Sequence, residues 1–258
     1  MTPGGGRRAF LDLHVHTSAS FDSLASPESV VRTATSRGLT HLAITDHDTI
    51  DGALVARDFA AREGIEITIL VGQEVKTSDG DLIAVFLDRA IETGLSPADA
   101  IAAIREQGGL VGIPHPFDRF RGSLLAGSDG GDEGEPGDAG ADTGPAAIAP
   151  LVDWVEAHNA RIMVGRGNEQ ATAFAREHDL PGVAVSDSHS TLEIGVAYSV
   201  IDGDPSTPDG LLAALPPIHL VTGRATYFVR AVTPVAKLVQ RARGRGRHST
   251  TRGTKVAP

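Results

Sequence analysis

Short β-branched runs alternate along the chain with longer stretches whose apolar residues recur every three to four positions. The runs AFLDLHV (9–15), HLAIT (41–45), EITILVG (66–72), DLIAVFL (81–87), GLVGI (109–113), VDWVEA (152–157) and GVAVS (182–186) read as strands. Helix starts are marked by Ser26-Pro27-Glu28, by Thr49 ahead of IDGALVARDFAAREG, by Ser96-Pro97-Ala98-Asp99 and by Asn168 ahead of EQATAFAREH. In each, a short polar side chain can accept from the first free backbone N–H groups. Strands alternating with helices predict βα units and a parallel sheet. Seven such units within 258 residues suit a closed or nearly closed α/β barrel over 9–229, with a doubly wound open sheet as the second choice.

Two segments break the rhythm. Residues 127–145 hold seven glycines and six acids with little to bury, which reads as a flexible acidic, Gly-rich insertion. Its functional reading is a lid over the site, its plain one a tolerated loop. Residues 230–258 hold eight Lys and Arg and no acid, and read as a basic, disordered tail. Such a tail can contact nucleic acid, although solvated basic tails are common.

Composition narrows the chemistry. Aromatic residues make up 4% of the chain, so the core is built from Ala, Val, Leu and Ile. There is no cysteine, which excludes disulfides, thiolate metal sites and cysteine nucleophiles together. Any metal is therefore held by His and carboxylate. MTPGGGRRAF has no apolar stretch of signal-peptide length after its arginines, and no segment approaches a membrane span, so the expectation is a soluble cytoplasmic protein without a membrane partner.

His14 and His16 end the first run, and residues i and i+2 of a strand share a face. A lone His-x-His is usually two half-exposed side chains. Here Asp46 and His47 follow HLAIT, Glu74 follows TILVGQ, His115 follows LVGIP, and Asp187 and His189 follow VAVS. Nearly every uncommon polar group lies just past a strand's C-terminal end, the edge where α/β folds build their sites. Imidazoles and carboxylates without thiolate suit zinc, manganese or iron, and a carboxylate such as Glu74 can bridge two ions. No P-loop or serine nucleophile motif competes.

DLHVHTSASFD, AITDHDT, VGQE, PHP and SDSHS, in this order and spacing, resemble the motifs of the polymerase and histidinol phosphatase (PHP) superfamily of phosphoesterases. The resemblance runs from Ala9 to His189 and on towards Tyr227. It implies a distorted seven-stranded barrel of PHP type carrying two or three divalent transition-metal ions (Mn, Fe or Zn). By motif, His14, His16, Glu74 and Asp187 would hold one ion, Glu74 and His115 a second, and Asp22, His47 and His189 a third. Two positions depart from the common pattern: Asp22 and Asp81 stand where many members have His. Carboxylates there can still ligate, and tilt the preference from zinc towards Mn²⁺ or Fe²⁺. Asp46 fits an orienting partner of a ligand or substrate. His158 matches no motif and reads as structural.

Within the superfamily the chain resembles the branch of nucleoside bisphosphate phosphatases and the 5′-to-3′ trimming nuclease RNase AM. That implies a small phosphorylated substrate, a nucleoside bisphosphate or a short oligonucleotide end, hydrolysed by a metal-bound hydroxide. Arg119 and Arg121, beside the PHP triplet, and Arg161 are candidates to grip a second, non-scissile phosphate. Histidinol phosphate or another sugar phosphate is the alternative substrate. The competing classes are an amidohydrolase, which also begins with His-x-His, and a non-catalytic module of the same fold.

Overall fold

The structure is a computed structural model and describes residues 8–118, 123–125, 145–162, 165–217, 219–225 and 232–244. All seven expected strands form: β1 (Arg8–Val15), β2 (His41–Ile44), β3 (Thr68–Lys76), β4 (Asp81–Val85), β5 (Leu110–Ile113), β6 (Trp154–Asn159) and β7 (Gly182–Val185). The count of seven and the all-parallel expectation need correction. The described residues include two further strands, β8 (Ala197–Asp202) and β9 (His219–Thr222), in a nine-stranded sheet of order β7-β6-β5-β4-β3-β2-β1-β8-β9. Pairings β1/β2, β2/β3, β5/β6 and β6/β7 are parallel, whereas β4 runs antiparallel to both neighbours and β8 to β1 and β9. The reason for β4 is local: residues 77–80 are too few for a crossover helix. Thr77 instead closes a hairpin turn by donating its N–H to the Gly80 carbonyl at 2.9 Å.

The sheet curls until its two halves nearly meet. Ser199 Oγ on β8 accepts from Ala184 N on β7 at 2.9 Å, and beyond β7 the Ser188 carbonyl accepts from His16 N at 2.9 Å. Inside lie Leu11, Leu13, Leu70, Ile83, Trp154 and Val185. Gly112 is required there, because a Cβ on it would come within 2.2 Å of the Trp154 indole.

The outer layer comprises α1 (Pro27–Ser36), α2 (Asp51–Glu63), α3 (Pro97–Arg105), α4 (Pro145–Ile148), α5 (Gly167–Glu177), α6 (Pro208–Ala214) and α7 (Val232–Ala242). Ser26 and Ser96 cap α1 and α3 as expected, each side chain accepting from the N–H three residues on. Thr49 accepts from Asp51 N, the first N–H of α2, at 3.1 Å, although Ile50 holds the cap position and makes no side-chain cap; Asn168 does not cap, since it lies inside α5, which follows Arg166. The disordered tail expected from 230 also needs correction, since Val232–Ala242 is helical, with Ala236 and Gln240 fully buried one turn apart. The arginine run that dominated the composition starts only at Arg241, after this apolar stretch. Residues 245–258 and almost all of the 127–145 insertion lie outside the described residues.

Candidate metal centre

The two histidines that end β1 are aimed by a break in strand phase. Leu11 and Leu13 belong to the interior cluster, but Val15 packs outward with Ile44, Val71 and the helices. Register against β2 shifts between Asp12 and Val15. An irregularity of this kind inverts the inside and outside of a strand, so His14 and His16 both turn into the barrel mouth. There the donors converge in three groups, each with its atoms within 4.8 Å of one another: His16, Asp22, His47 and His189; His14, His16 and Asp187; Glu74, Asp81 and His115. His16 lies between the first two. Glu74 links the groups, with Oε2 3.3 Å from His14 Nε2, His16 Nε2 and His47 Nδ1, and Oε1 3.1 Å from His115 Nε2.

The spacing suits an ion. His14 Nε2 and His16 Nε2 are 2.9 Å apart, and Asp187 Oδ1 is 3.7 and 3.6 Å from them. Donors about 2.1 Å from a common tetrahedral centre would be about 3.4 Å apart. The tautomers fit as well. His14 Nδ1 donates to Glu156 Oε1 at 2.7 Å and His189 Nδ1 to the Asp187 carbonyl at 2.9 Å, which turns each Nε2 to the shared space. Burial opposes charge on His14, but Asp187, Glu156 and Glu74 outweigh it and raise the imidazole well above its usual value, so an ion bound there would displace a proton. His16 Nδ1 and His115 Nδ1 are buried with no hydrogen-bond partner among the described residues. Backbone strain is concentrated here too: His115 (φ 29°) and Asp187 (φ 51°) occupy the left-handed region, which is tolerated where surroundings enforce it.

Burial and neighbours set the charges. Burial opposes ionisation of Glu74, but His47 and His14, with hydrogen bonds from His115 and His14, outweigh it and hold the carboxyl well below the usual range. Asp22 follows the same logic, with His189 and His47 overcoming its burial. Burial first and the Arg161 guanidinium next push His189 down to about 3.

Against this geometry stand the known relatives. The PHP domain family matches residues 12–128, and the PHP-associated family residues 165–216. Two uncharacterized proteins of Methanocaldococcus jannaschii are similar: MJ1587 is 38% identical over 116 residues, 41% of this chain and 67% of its own length. MJ0417 is 30% identical over 188 residues, covering 73% of this chain and 68% of its own. The chain belongs to the PHP family. A shorter match joins it to the 5′-3′ exoribonuclease Rnm of Salmonella typhimurium, 42% identical over 66 residues, which is 26% of this chain and 22% of the exoribonuclease. Among solved structures, a two-domain protein with a predicted PHP-like metal-dependent phosphoesterase from Bacteroides vulgatus superposes with a TM-score of 0.63 at 18% identity, over 85% of this chain and 66% of that one.

The PHP mouth thus gathers all nine expected ligands, Asp81 included, each almost wholly buried or nearly so. Asp46 sits beneath them. Its oxygens accept from Thr17 N and Thr17 Oγ1, both at 2.6 Å, and Gly52 makes the room, since a Cβ there would fall 2.0 Å from Asp46 Oδ2. The carboxylate therefore fixes the chain just after His16. Arg161 is also at this mouth, 6% exposed, with Nη2 donating to Thr233 Oγ1 at 2.8 Å and Nε 3.7 Å from Glu193. Arg119 and Arg121 lie outside the described residues. His158 donates from Nε2 to the Gly223 carbonyl at 2.8 Å, a structural contact.

Three residues of the PHP site escaped the sequence reading. Glu156 binds His14 through Oε1 and accepts from His115 N and Asn159 Nδ2 through Oε2, both at 2.8 Å. Asn159 also donates to Asp187 Oδ2 at 3.0 Å. Glu193 accepts from His189 N at 3.0 Å. A signal existed for the first two, since Glu156 and Asn159 close the run WVEAHN at the same strand edge as the ligands.

Proposed function

We propose that this protein is a metal-dependent phosphoesterase whose substrate is a small nucleotide or the end of an oligonucleotide. The observation that carries the reading is the convergence of nine His and carboxylate side chains, in three overlapping groups, at one barrel mouth. His14, His16, Glu74 and Asp187 would hold one ion, Glu74, Asp81 and His115 a second, and Asp22, His47 and His189 a third. Divalent ions in such a site lower the pKa of water and offset charge on phosphoryl oxygens. The protein's own groups prepare this. Glu156 keeps His14 protonated on Nδ1 and available at Nε2. Asp46 anchors the backbone between His16 and the Asp22 loop through Thr17. Arg161, with Nη1 buried and lacking a hydrogen-bond partner among the described residues, is the group suited to a second phosphate. The relative named as a 5′-3′ exoribonuclease supports a substrate of nucleotide chemistry.

The test is metal analysis of the purified protein, then kcat/KM with Mn²⁺ on a nucleoside 3′,5′-bisphosphate, a short 5′-phosphorylated oligonucleotide, histidinol phosphate and an amide panel. Two or three ions per chain and preference for the first two substrates are expected. Less than one ion per chain overturns the metal site. Preference for histidinol phosphate overturns the substrate class, and amide turnover the reaction class.

A further inference from the structure

Helix α7 touches the Asp22, His47 and His189 group along three routes. The tightest is Gln240. Its side chain is fully buried, and its amide nitrogen donates to three carbonyls of one loop: Ser18 O at 2.8 Å, Ser20 O at 3.0 Å and Ser23 O at 2.9 Å. Three surrounding acceptors fix which end of the amide is nitrogen. Only two hydrogens serve them, so one is shared. The loop that wraps this nitrogen carries Asp22, whose Oδ1 accepts from Ser20 Oγ at 2.8 Å and whose Oδ2 faces His189 Nε2 at 3.1 Å and His47 Nε2 at 3.2 Å. Ser23 Oγ, from the same loop, donates to the His189 carbonyl at 2.9 Å.

The other two routes reach the same group. Lys237 Nζ lies 5.5 Å from the ring centre of Phe21, which stacks on His47 at 4.8 Å. Thr233 accepts from Arg161, which pairs with Glu193, which accepts from His189 N. By contrast His14, Glu74, Asp81 and Asp187 are set by strands, strand ends and Glu156 or Asn159.

We propose that Gln240 is a positioning residue for the ion held by Asp22, His47 and His189, folding the 17–23 loop around its amide so that Asp22 meets the two imidazoles. This rests on the three-ion reading above. The variants are Gln240→Ala, which removes the amide, and Gln240→Glu, which keeps its shape but turns lone pairs towards three carbonyls. Leu238→Gln, 70% exposed on the same helix, is the control. Ion content and affinity are measured by elemental analysis across a chelator series, with Tm recorded in parallel. The expected result is three ions in the wild type and the control, and in both Gln240 variants one ion weakened about 10- to 100-fold with the other two retained. Activity should then recover as Mn²⁺ is raised. Less than one ion in the wild type sinks the metal reading and this inference together. Two ions in the wild type, or three of unchanged affinity in both Gln240 variants, overturn the inference alone. So does loss of all ions together with a collapse of Tm in both variants, or equal ion loss in Leu238→Gln, because either marks a general role in stability.

Discussion

The barrel has titratable residues at both ends, and they are treated oppositely. At the end opposite the candidate metal centre a cavity of about 410 Å³ is lined by Arg8, Thr40, His41, Glu66, Asp204 and Ser206. His41 is buried, but its two ring nitrogens meet hydroxyls, Thr40 Oγ1 at 2.8 Å and Ser206 Oγ at 3.2 Å, and the nearest acid, Asp204, is 78% exposed. At the metal-centre mouth, imidazoles and carboxylates are buried against one another, with Asp187 at 1% exposure and His14 at none. Burying charges together is costly unless each is well paired. The first end follows the ordinary rule of satisfying a polar group with a neutral partner; the second departs from it, and such departures mark where a fold serves a ligand. Mutation should therefore have its catalytic consequences at one end only.

The largest expected effect is at Asp187 and His14. Replacing either with Ala removes a donor from the group closest to tetrahedral spacing, and turnover should be abolished while the barrel persists. The check is kcat of the metal-loaded variants beside circular dichroism. Near wild-type turnover in either would erase the distinction between the two ends.

Next is Glu156→Gln, which is isosteric. Glu156 serves three donors, His14 Nδ1–H on one oxygen and the His115 and Asn159 N–H groups on the other. An amide nitrogen must face one set, either forcing the His14 tautomer to change or breaking two hydrogen bonds. A loss of about 10- to 100-fold in metal affinity or activity is expected. Unchanged metal affinity in a titration would show that the strand ends position His14 without it.

Much of this contrast was legible in the sequence. All seven strands, and the candidate ligands His14, His16, His47, Glu74, His115, Asp187 and His189, could be read because β-branched runs and the His and acid residues at their ends share one phase, whereas Asp22 and Asp81 followed only from the resemblance to the PHP motifs. The rest failed for identifiable reasons. A parallel β4 does not fit even the bounds the sequence suggests, because only residues 73–80 separate EITILVG from DLIAVFL, too few for a crossover. β8 passed unnoticed although AYSVID is a β-branched run flanked by Gly195 and Gly203. Thr207-Pro208-Asp209 carries the same start signal as α1 and α3, and Thr207 does accept from Gly210 N at 3.1 Å. α7 was hidden by the arginines that follow it. Gln240 acts through contacts to the carbonyls of Ser18, Ser20 and Ser23, far away in the chain, and no local pattern announces those.

A smaller effect is expected from His41→Ala at the opposite end. It removes contacts to two hydroxyls, each worth about 0.5–1.5 kcal/mol. Stability should fall by about 1–3 kcal/mol in denaturant unfolding, with kcat/KM and ion content unchanged. A loss of ions in this variant would show that the two ends are coupled, and the contrast between them would no longer hold.

The smallest effect belongs to Asp204, and it sharpens the contrast through pH. The Ser206 hydroxyl, then the Ser206 backbone N–H, lower its carboxyl below the ordinary 3.8. A carboxylate whose folded value is depressed binds fewer protons folded than unfolded, so its contribution is fully present above 3.8 and is lost as pH falls through the lower folded value. Because the side chain is exposed, solvent screens that contribution and keeps it slight. Asp204→Ala should therefore lower Tm slightly at neutral pH, with the gap to wild type closing once pH drops below 3.8. Thermal melts of the two proteins across that range provide the check. A gap that stays constant with pH would mean Asp204 acts through packing and not through its charge.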